Sequence, residues 1–306
     1  MAGEPIQRIA IVGFGEVGGI FGKDFAAKGL DVSVFDVLFD AKEARDAMLA
    51  KARDAKVRAA SNLEDCVRGA ELVISAVTAS SGFTVAKDAS RLLGDGQVLL
   101  DINSVSPGTK RRMAAQFEGK PAHFVEAAVM AAVPPQRLKV PMLLGGAHAA
   151  ELAPRLAAIG MNAKAASDQV GIPSAIKMCR SVVIKGLEAL AVESMFAARR
   201  FGAEEAVLSS LAATFPEMGW KDRLPNYLIS RVAQHGKRRA AEMREAAEAL
   251  REVGMNPLMA EATAERQERL ILEMAGQISD AGFDQKFSWQ ELADAITAAN
   301  KSAKAD

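Results

Sequence analysis

Cysteine, tyrosine and histidine are scarce in these 306 residues: two cysteines, one tyrosine and three histidines. Cys66 and Cys179 lie far apart and match no zinc or redox spacing, so both are expected as buried, reduced thiols. His123, His148 and His235 show no ligand spacing and no accompanying carboxylate cluster, which argues against a metal centre. Aromatics amount to 5% of the chain, too few for platforms that stack single-stranded nucleic acid. Charge of one sign is not in excess. The 38 Lys and Arg balance the 38 Asp and Glu, so no overall field favours nucleic acid or an anionic membrane. No run of about 18 apolar residues occurs, and no membrane span is expected. The opening MAGEPIQRIAIVGFG lacks the basic, apolar and small-residue segments of an export signal, so the expected location is cytoplasmic. No G-x-S-x-G elbow is present.

What is there is ordinary globular material, half hydrophobic and a quarter charged, long enough for two domains. Up to about Ser167, β-rich runs alternate with helical ones. The strand candidates are Arg8–Val12, Val32–Phe35, Lys56–Ala59, Leu72–Ala76, Val98–Ile102, His123–Glu126 and Met142–Leu144. Helical periodicity fills Val17–Lys28, Ala41–Lys51, Leu63–Gly69, Gly82–Leu93 and Pro107–Phe117. This alternation predicts parallel βαβ units, hence an α/β doubly wound Rossmann sheet over residues 1–167. From Pro173 onward the pattern is helical only: Ser174–Phe201, Ala203–Thr214, Tyr227–Val253, Leu258–Ala275 and Trp289–Ala299. Residues 168–306 are therefore expected as an all-α domain, with the closing AANKSAKAD as a frayed tail.

The sharpest local signal is RIAIVGFGEVGGIFGKDFAAKGLDVSVFD. Gly13, Gly15 and Gly18 form G-x-G-x-x-G between a strand and a helix. The first glycine permits the tight turn, the second lets backbone approach a diphosphate, and the third lets helix and strand pack closely. Helix N–H groups and the macrodipole then receive the anion. Asp36 ends the next strand, where an acid can hold ribose hydroxyls. It would repel a 2′-phosphate, and Val37 and Leu38 supply no arginine, which favours NAD over NADP; FAD shares the fingerprint and stays open. The expected cofactor contacts are Gly13, Phe14, Gly15, Glu16, Val17, Gly18 and Asp36, with Val77, Thr78 and Asn103 beyond later strands.

Three further stretches carry a pattern: Asp101-Ile-Asn-Ser-Val-Ser-Pro107, Phe124-Val-Glu-Ala-Ala-Val-Met-Ala-Ala132 with Leu143-Leu-Gly-Gly146 after it, and Gly171-Ile-Pro-Ser-Ala-Ile-Lys177-Met-Cys-Arg-Ser181. With these, the chain from Ile9 to about residue 270 resembles the β-hydroxyacid dehydrogenases, which include 3-hydroxyisobutyrate and 6-phosphogluconate dehydrogenases. The resemblance implies a Rossmann domain before an all-helical one, and Lys177 as acid/base for a small-molecule substrate. It implies that Asn103 and Ser104 stand for the Ser-Thr pair that meets a substrate carboxylate, the amide donating to the anion. Ser106 reads as the cap of the helix starting at Pro107. Met130, Ala131 and Ala132 replace Ser-Gly-Gly at the substrate, removing polar contacts and adding apolar bulk, while Glu126 keeps an acid. Arg180 and Ser181 replace two asparagines, and Ser181 joins the expected substrate contacts. A later family lysine falls at Ala241; the upstream stripe Arg231, Gln234, His235 and Arg238, with Lys237 and Arg239 beside it, reads as an anion contact or, slightly preferred, a solvated face. A homodimer or higher homo-oligomer is implied. The expected function is an NAD-dependent dehydrogenase or reductase of a small hydroxy acid. An imine reductase or oxidative decarboxylase is the alternative within the family, and a non-catalytic nucleotide-binding protein the alternative outside it.

Overall fold

A computed structural model describes residues 5–274 and 287–302. The chain divides into two compact units, Met1–Lys177 and Met178–Asp306. The division falls ten residues later than the expected 167/168, because Gly171 and Ser174 are hydrogen-bonded to Glu126 inside the sheet domain.

The first unit is built on eight strands: β1 (Arg8–Val12), β2 (Asp31–Phe35), β3 (Arg58–Ala59), β4 (Leu72–Ser75), β5 (Val98–Asp101), β6 (His123–Val129), β7 (Pro141–Gly145) and β8 (Asn162–Ser167). Their order is β3-β2-β1-β4-β5-β6-β7-β8. The first six run parallel, and β1 and β4, neighbours whose crossovers diverge, create the switch point at which α/β sheets bind ligands. Buried on both faces, β4 and β5 read as LVIS and VLLD with every residue inside. The sheet is not parallel throughout, however. β7 pairs antiparallel with β6, and β8 follows β7 in parallel.

Helices α1 (Glu16–Ala27), α2 (Arg45–Ala55), α3 (Leu63–Val67), α4 (Ala79–Leu92), α5 (Pro107–Ala115), α6 (Val133–Gln136) and α7 (Ala149–Ala158) connect the strands. One core cluster gathers Ile9, Ile11, Phe14, Phe21, Phe25, Val34 and Leu100; another gathers Val12, Cys66, Val73, Leu99, Met113 and Phe124. The α5 start behaves as its residues require: the Ser106 hydroxyl accepts the Thr109 N–H and Pro107 occupies the first turn. Three elements were not foreseen: the short α6 and two longer ones. α7 contains Pro154, which removes an intrahelical donor, and β8 reads NAKAAS, half of it exposed, with little β-branched content.

The second unit is helical from α8 (Ile172–Phe201, begun in the first unit) through α9 (Glu204–Thr214), α10 (Leu224–Arg251), α11 (Leu258–Met274) and α12 (Trp289–Ser302). α12 carries the chain through Ser302, so the expected tail is helical over its first residues; 303–306 and Ala275 lie outside the described residues. Val192, Met195, Phe196, Ile229, Val232, Leu270, Trp289 and Ile296 form its main core. The thiols divide: Cys66 is buried and burial pushes it up to about 11, whereas Cys179 is exposed on α8, where it shares a helix face with exposed Ile176 and Val183. No helix among the described residues is long and apolar enough to cross a membrane.

The α10 basic stripe also divides. Lys237 and Arg238 are exposed, but Arg239 turns inward and pairs with Glu188 at 2.9 Å, because the buried Glu188 needs a countercharge. Lys185 pairs with Glu242, and the Gln267 amide lies 3.4 Å from Glu188. Burial is the largest influence on Glu188 and pushes its carboxyl up to about 7, against the opposing pull of Arg239 and Lys185. The folded chain therefore holds this proton where the unfolded chain has released it, and stability falls as pH rises from about 4.5 through about 7. The expected loss is at most ~3 kcal/mol. Urea denaturation across this window should show a shallower fall for Glu188→Gln; an identical slope would remove Glu188 as its source.

Candidate functional site

The glycine loop leaves β1 at the switch point. Gly13 has φ +94, and a Cβ there would lie 2.4 Å from the Ala76 carbonyl oxygen and 2.9 Å from Val77. At Gly18 a Cβ would sit 2.0 Å from the Gly13 oxygen, so both positions exclude side chains. Gly15 differs. A Cβ there would meet nothing within 4 Å, leaving the loop open at the position where a diphosphate must approach backbone. No side chain caps α1, so its first N–H groups face outward beside exposed Gly15 and Glu16. Val17 is half-buried on the first turn. Phe14 departs from its expected role: its ring is fully buried against Phe39, and its N–H and carbonyl are both taken within the protein, so it shapes the loop rather than meeting a ligand.

Asp36 stands at the end of β2, half-buried. One oxygen accepts the Phe14 N–H at 2.7 Å and the other the Leu38 N–H at 2.9 Å. Val37 and Leu38 beside it are exposed apolar residues. Val77 and Thr78 follow β4; the Thr78 hydroxyl is exposed and lies 3.1 Å from Ser80 Oγ and 3.0 Å from Ser81 Oγ. Lys51 was not anticipated. From α2 its ammonium donates to the carbonyl oxygens of Phe14 at 2.6 Å and Gly15 at 2.7 Å, over the Phe14 ring.

At the end of β5 a dense polar group is almost completely buried. Asp101 pairs with Lys110 of α5, and Lys110 also donates to the Asp101 carbonyl at 2.9 Å. Lys110 is 1% exposed, a placement for which its position in a helical run offered no signal. Asn103 donates its amide to Asp101 and to Ser75 Oγ, the latter at 2.8 Å. This corrects the expectation that Asn103 donates to a substrate anion. Both amide hydrogens are used within the protein, and the buried Oδ1 is left without a partner, as is the Ser104 hydroxyl. Asn103 thus presents an acceptor, suited to an O–H or N–H.

Glu126 is fully buried next to Asp101 in strand register. Its carboxylate accepts the N–H of Gly171 at 2.8 Å and of Ser174 at 3.0 Å, taking the place of a cap at the start of α8. Burial raises its pKa, while Lys110 and these donors oppose the rise. Lys177 follows one turn after Ser174 and is half-buried. Ser181 is buried in the second unit, and Arg180 is exposed. Met130 is half-buried and returns its N–H to the Pro141 oxygen at 2.9 Å, while Ala131 and Ala132 are exposed after β6. Within the first unit, the loops after β1, β4, β5 and β6 thus open at one sheet edge.

Such a loop, switch point and acid define a Rossmann-type dinucleotide-binding protein. Residues 8–166 match the family model described as the NAD binding domain of 6-phosphogluconate dehydrogenase, and the chain belongs to that family. The match decides for a nicotinamide dinucleotide over FAD. Residues 198–270 match a domain of unknown function. A conserved hypothetical protein from Sinorhizobium meliloti is 34% identical, with 96% of each chain covered and a TM-score of 0.78. A conserved protein of unknown function, described as structurally similar to 3-hydroxyacid dehydrogenases, is 29% identical, covering 86% of this chain and 96% of its own, with a TM-score of 0.70. The 3-hydroxyisobutyrate dehydrogenase of Mycobacterium tuberculosis shares the fold, at 15% identity and a TM-score of 0.72 over 95% of this chain and 99% of its own.

Proposed function

We propose that this chain is an NAD-dependent dehydrogenase or reductase acting on the alcohol/carbonyl pair of a small hydroxy acid or related metabolite, with Lys177 as the acid/base. The observation that supports this reading is the anchoring of α8 by buried Glu126, which accepts the N–H groups of Gly171 and Ser174 one turn ahead of Lys177. When bound, the nicotinamide supplies hydride transfer. Gly13, Gly15, Glu16, Val17 and Gly18 bind the diphosphate by backbone, Asp36 takes the adenosine ribose, and Val77 and Thr78 flank the dinucleotide. Lys177 gives a proton to the substrate oxygen in reduction and takes it in oxidation. Asn103 Oδ1 and the Ser104 hydroxyl are the unpaired polar atoms available to orient substrate or nicotinamide. Met130, Ala131, Ala132 and Ser181 complete the expected substrate contacts.

A second reading within the family, reduction of a C=N bond, is favoured by one observation. Asn103 offers an acceptor rather than a donor, which suits an amine N–H better than a carboxylate. A dinucleotide sensor without catalysis has no use for Lys177.

Screening NAD reduction over hydroxy acids, amino alcohols and aryl alcohols should yield a substrate. On it, Lys177→Ala should lower turnover by a factor on the order of 10²–10⁴ while NADH binding persists. Lys177→Arg should stay slow as well, since guanidinium does not release its proton. Near-normal turnover in both would assign the proton to another group.

NAD(H) should bind more tightly than NADP(H). Asp36 would repel a 2′-phosphate, and Lys51, whose charge it faces, is already engaged by loop carbonyls. Calorimetric titration of both cofactors decides this, and equal affinities would remove Asp36 from its role.

A homodimer is proposed on the exposed apolar row Ile176, Val183 and Leu190 of α8, spaced by seven residues as in helix pairing. Sedimentation should give a dimer that Val183→Asp with Leu190→Asp converts to monomer; an unchanged dimer places the interface elsewhere.

A further inference from the structure

The residue directly after the third glycine of the fingerprint is also glycine, though the dinucleotide turn does not require it, and Lys51 explains it. Gly18 is needed against the Gly13 oxygen, but a Cβ on Gly19 would meet no backbone of the loop. It would instead lie 2.7 Å from Lys51 Cε and 2.9 Å from its Nζ. Gly19 therefore keeps open the channel along which Lys51 crosses from α2 to α1.

What the lysine does there follows from peptide geometry. In a trans peptide the C=O and N–H point in opposite directions. The Phe14 carbonyl shares its plane with the Gly15 N–H, and the Gly15 carbonyl with the Glu16 N–H. The Phe14 carbonyl is drawn by the ammonium, and the Gly15 carbonyl by the ammonium together with the Gly19 N–H of α1 at 3.0 Å, which turns the Gly15 and Glu16 N–H groups the other way, toward the open side of Gly15. Asp36 holds the preceding plane by accepting the Phe14 N–H. Three consecutive peptide planes are thereby set before any ligand arrives. In this half-buried place burial lowers the Lys51 pKa, while Asp36 and Glu16 oppose the shift.

We propose that Lys51 is a positioning residue for the cofactor diphosphate: anchored on the Phe14 and Gly15 carbonyls through the gap left by Gly19, it preorganises the Gly15 and Glu16 N–H groups as an anion cradle. The proposal rests on the dinucleotide-binding reading of the glycine loop and specifies which side chain makes that loop competent. It predicts a separation that a merely structural lysine would not produce. Gly19→Ala improves helix propensity and displaces only the flexible end of Lys51, so the ligand-free protein should melt no lower than wild type. Its affinity for the diphosphate should nevertheless fall.

The experiment titrates wild type, Lys51→Met and Gly19→Ala with NADH and ADP by calorimetry, and with millimolar adenosine by ligand-observed NMR. Both variants should bind NADH and ADP about tenfold or more weakly, the scale of losing charge-assisted hydrogen bonds, and adenosine as wild type does. Unchanged NADH and ADP affinity in Lys51→Met overturns the proposal. So does an equal loss toward adenosine, which would make Lys51 part of the general packing. Wild type that binds neither NADH nor ADP would instead bring down the dinucleotide reading, and the proposal with it.

Discussion

Two carboxylates lie side by side in the sheet with no access to water. Asp101 and Glu126 are register partners on β5 and β6, and both are fully buried. Isolated, such charges would cost several kcal/mol each. Each is met by protein groups instead, and those groups set the surrounding architecture. Lys110 reaches down from α5 to Asp101 and thereby fixes the helix after β5. Asn103 is turned by Asp101 until its amide hydrogens are used and its oxygen is left over. Glu126 gathers the N–H groups at the start of α8, which determines where the helix bearing Lys177 begins. Removing either charge's partner would expose a buried ion, so the network holds as a unit.

The glycine loop is governed by a second charged arrangement, this one half-buried. Asp36 takes an N–H and Lys51 takes two carbonyls, so a segment dominated by glycine does not rely on its own stiffness. Glycine permits the conformation and the two charged side chains select it. A binding loop prepared in this way spends less free energy on ordering when an anion arrives.

Much of the first unit could be read from residue order, because its signals are local. The parallel strands are continuous apolar runs, and Ser106-Pro107 announces a helix start. β8 escaped because NAKAAS has the composition of a helix or loop and pairs only at a sheet edge. The reversal at β7 escaped because alternation of strand and helix carries no direction, and α6 is too short to reveal that no full crossover is made. Likewise the stacked rings of His123 and His148, 3.6 Å apart, come from elements distant in the chain. Lys51 and Lys110 escaped for a different reason. Lysine in a helical run reads as solvated, and nothing near either residue names the carbonyl or carboxylate that draws it inward.

By itself the sequence determined the order of the two domains, the glycine turn and the acid at the end of β2. These depend on residue spacing along a strand, a turn or a helix, and spacing is a property of the chain. Only the tertiary structure decided which end of the Asn103 amide is left unpaired, that Glu126 anchors α8, and that Gly19 makes room for Lys51. Those outcomes join residues about 30 to 50 positions apart through buried hydrogen bonds and contacts, and no local pattern encodes which donor will meet which acceptor once water is excluded.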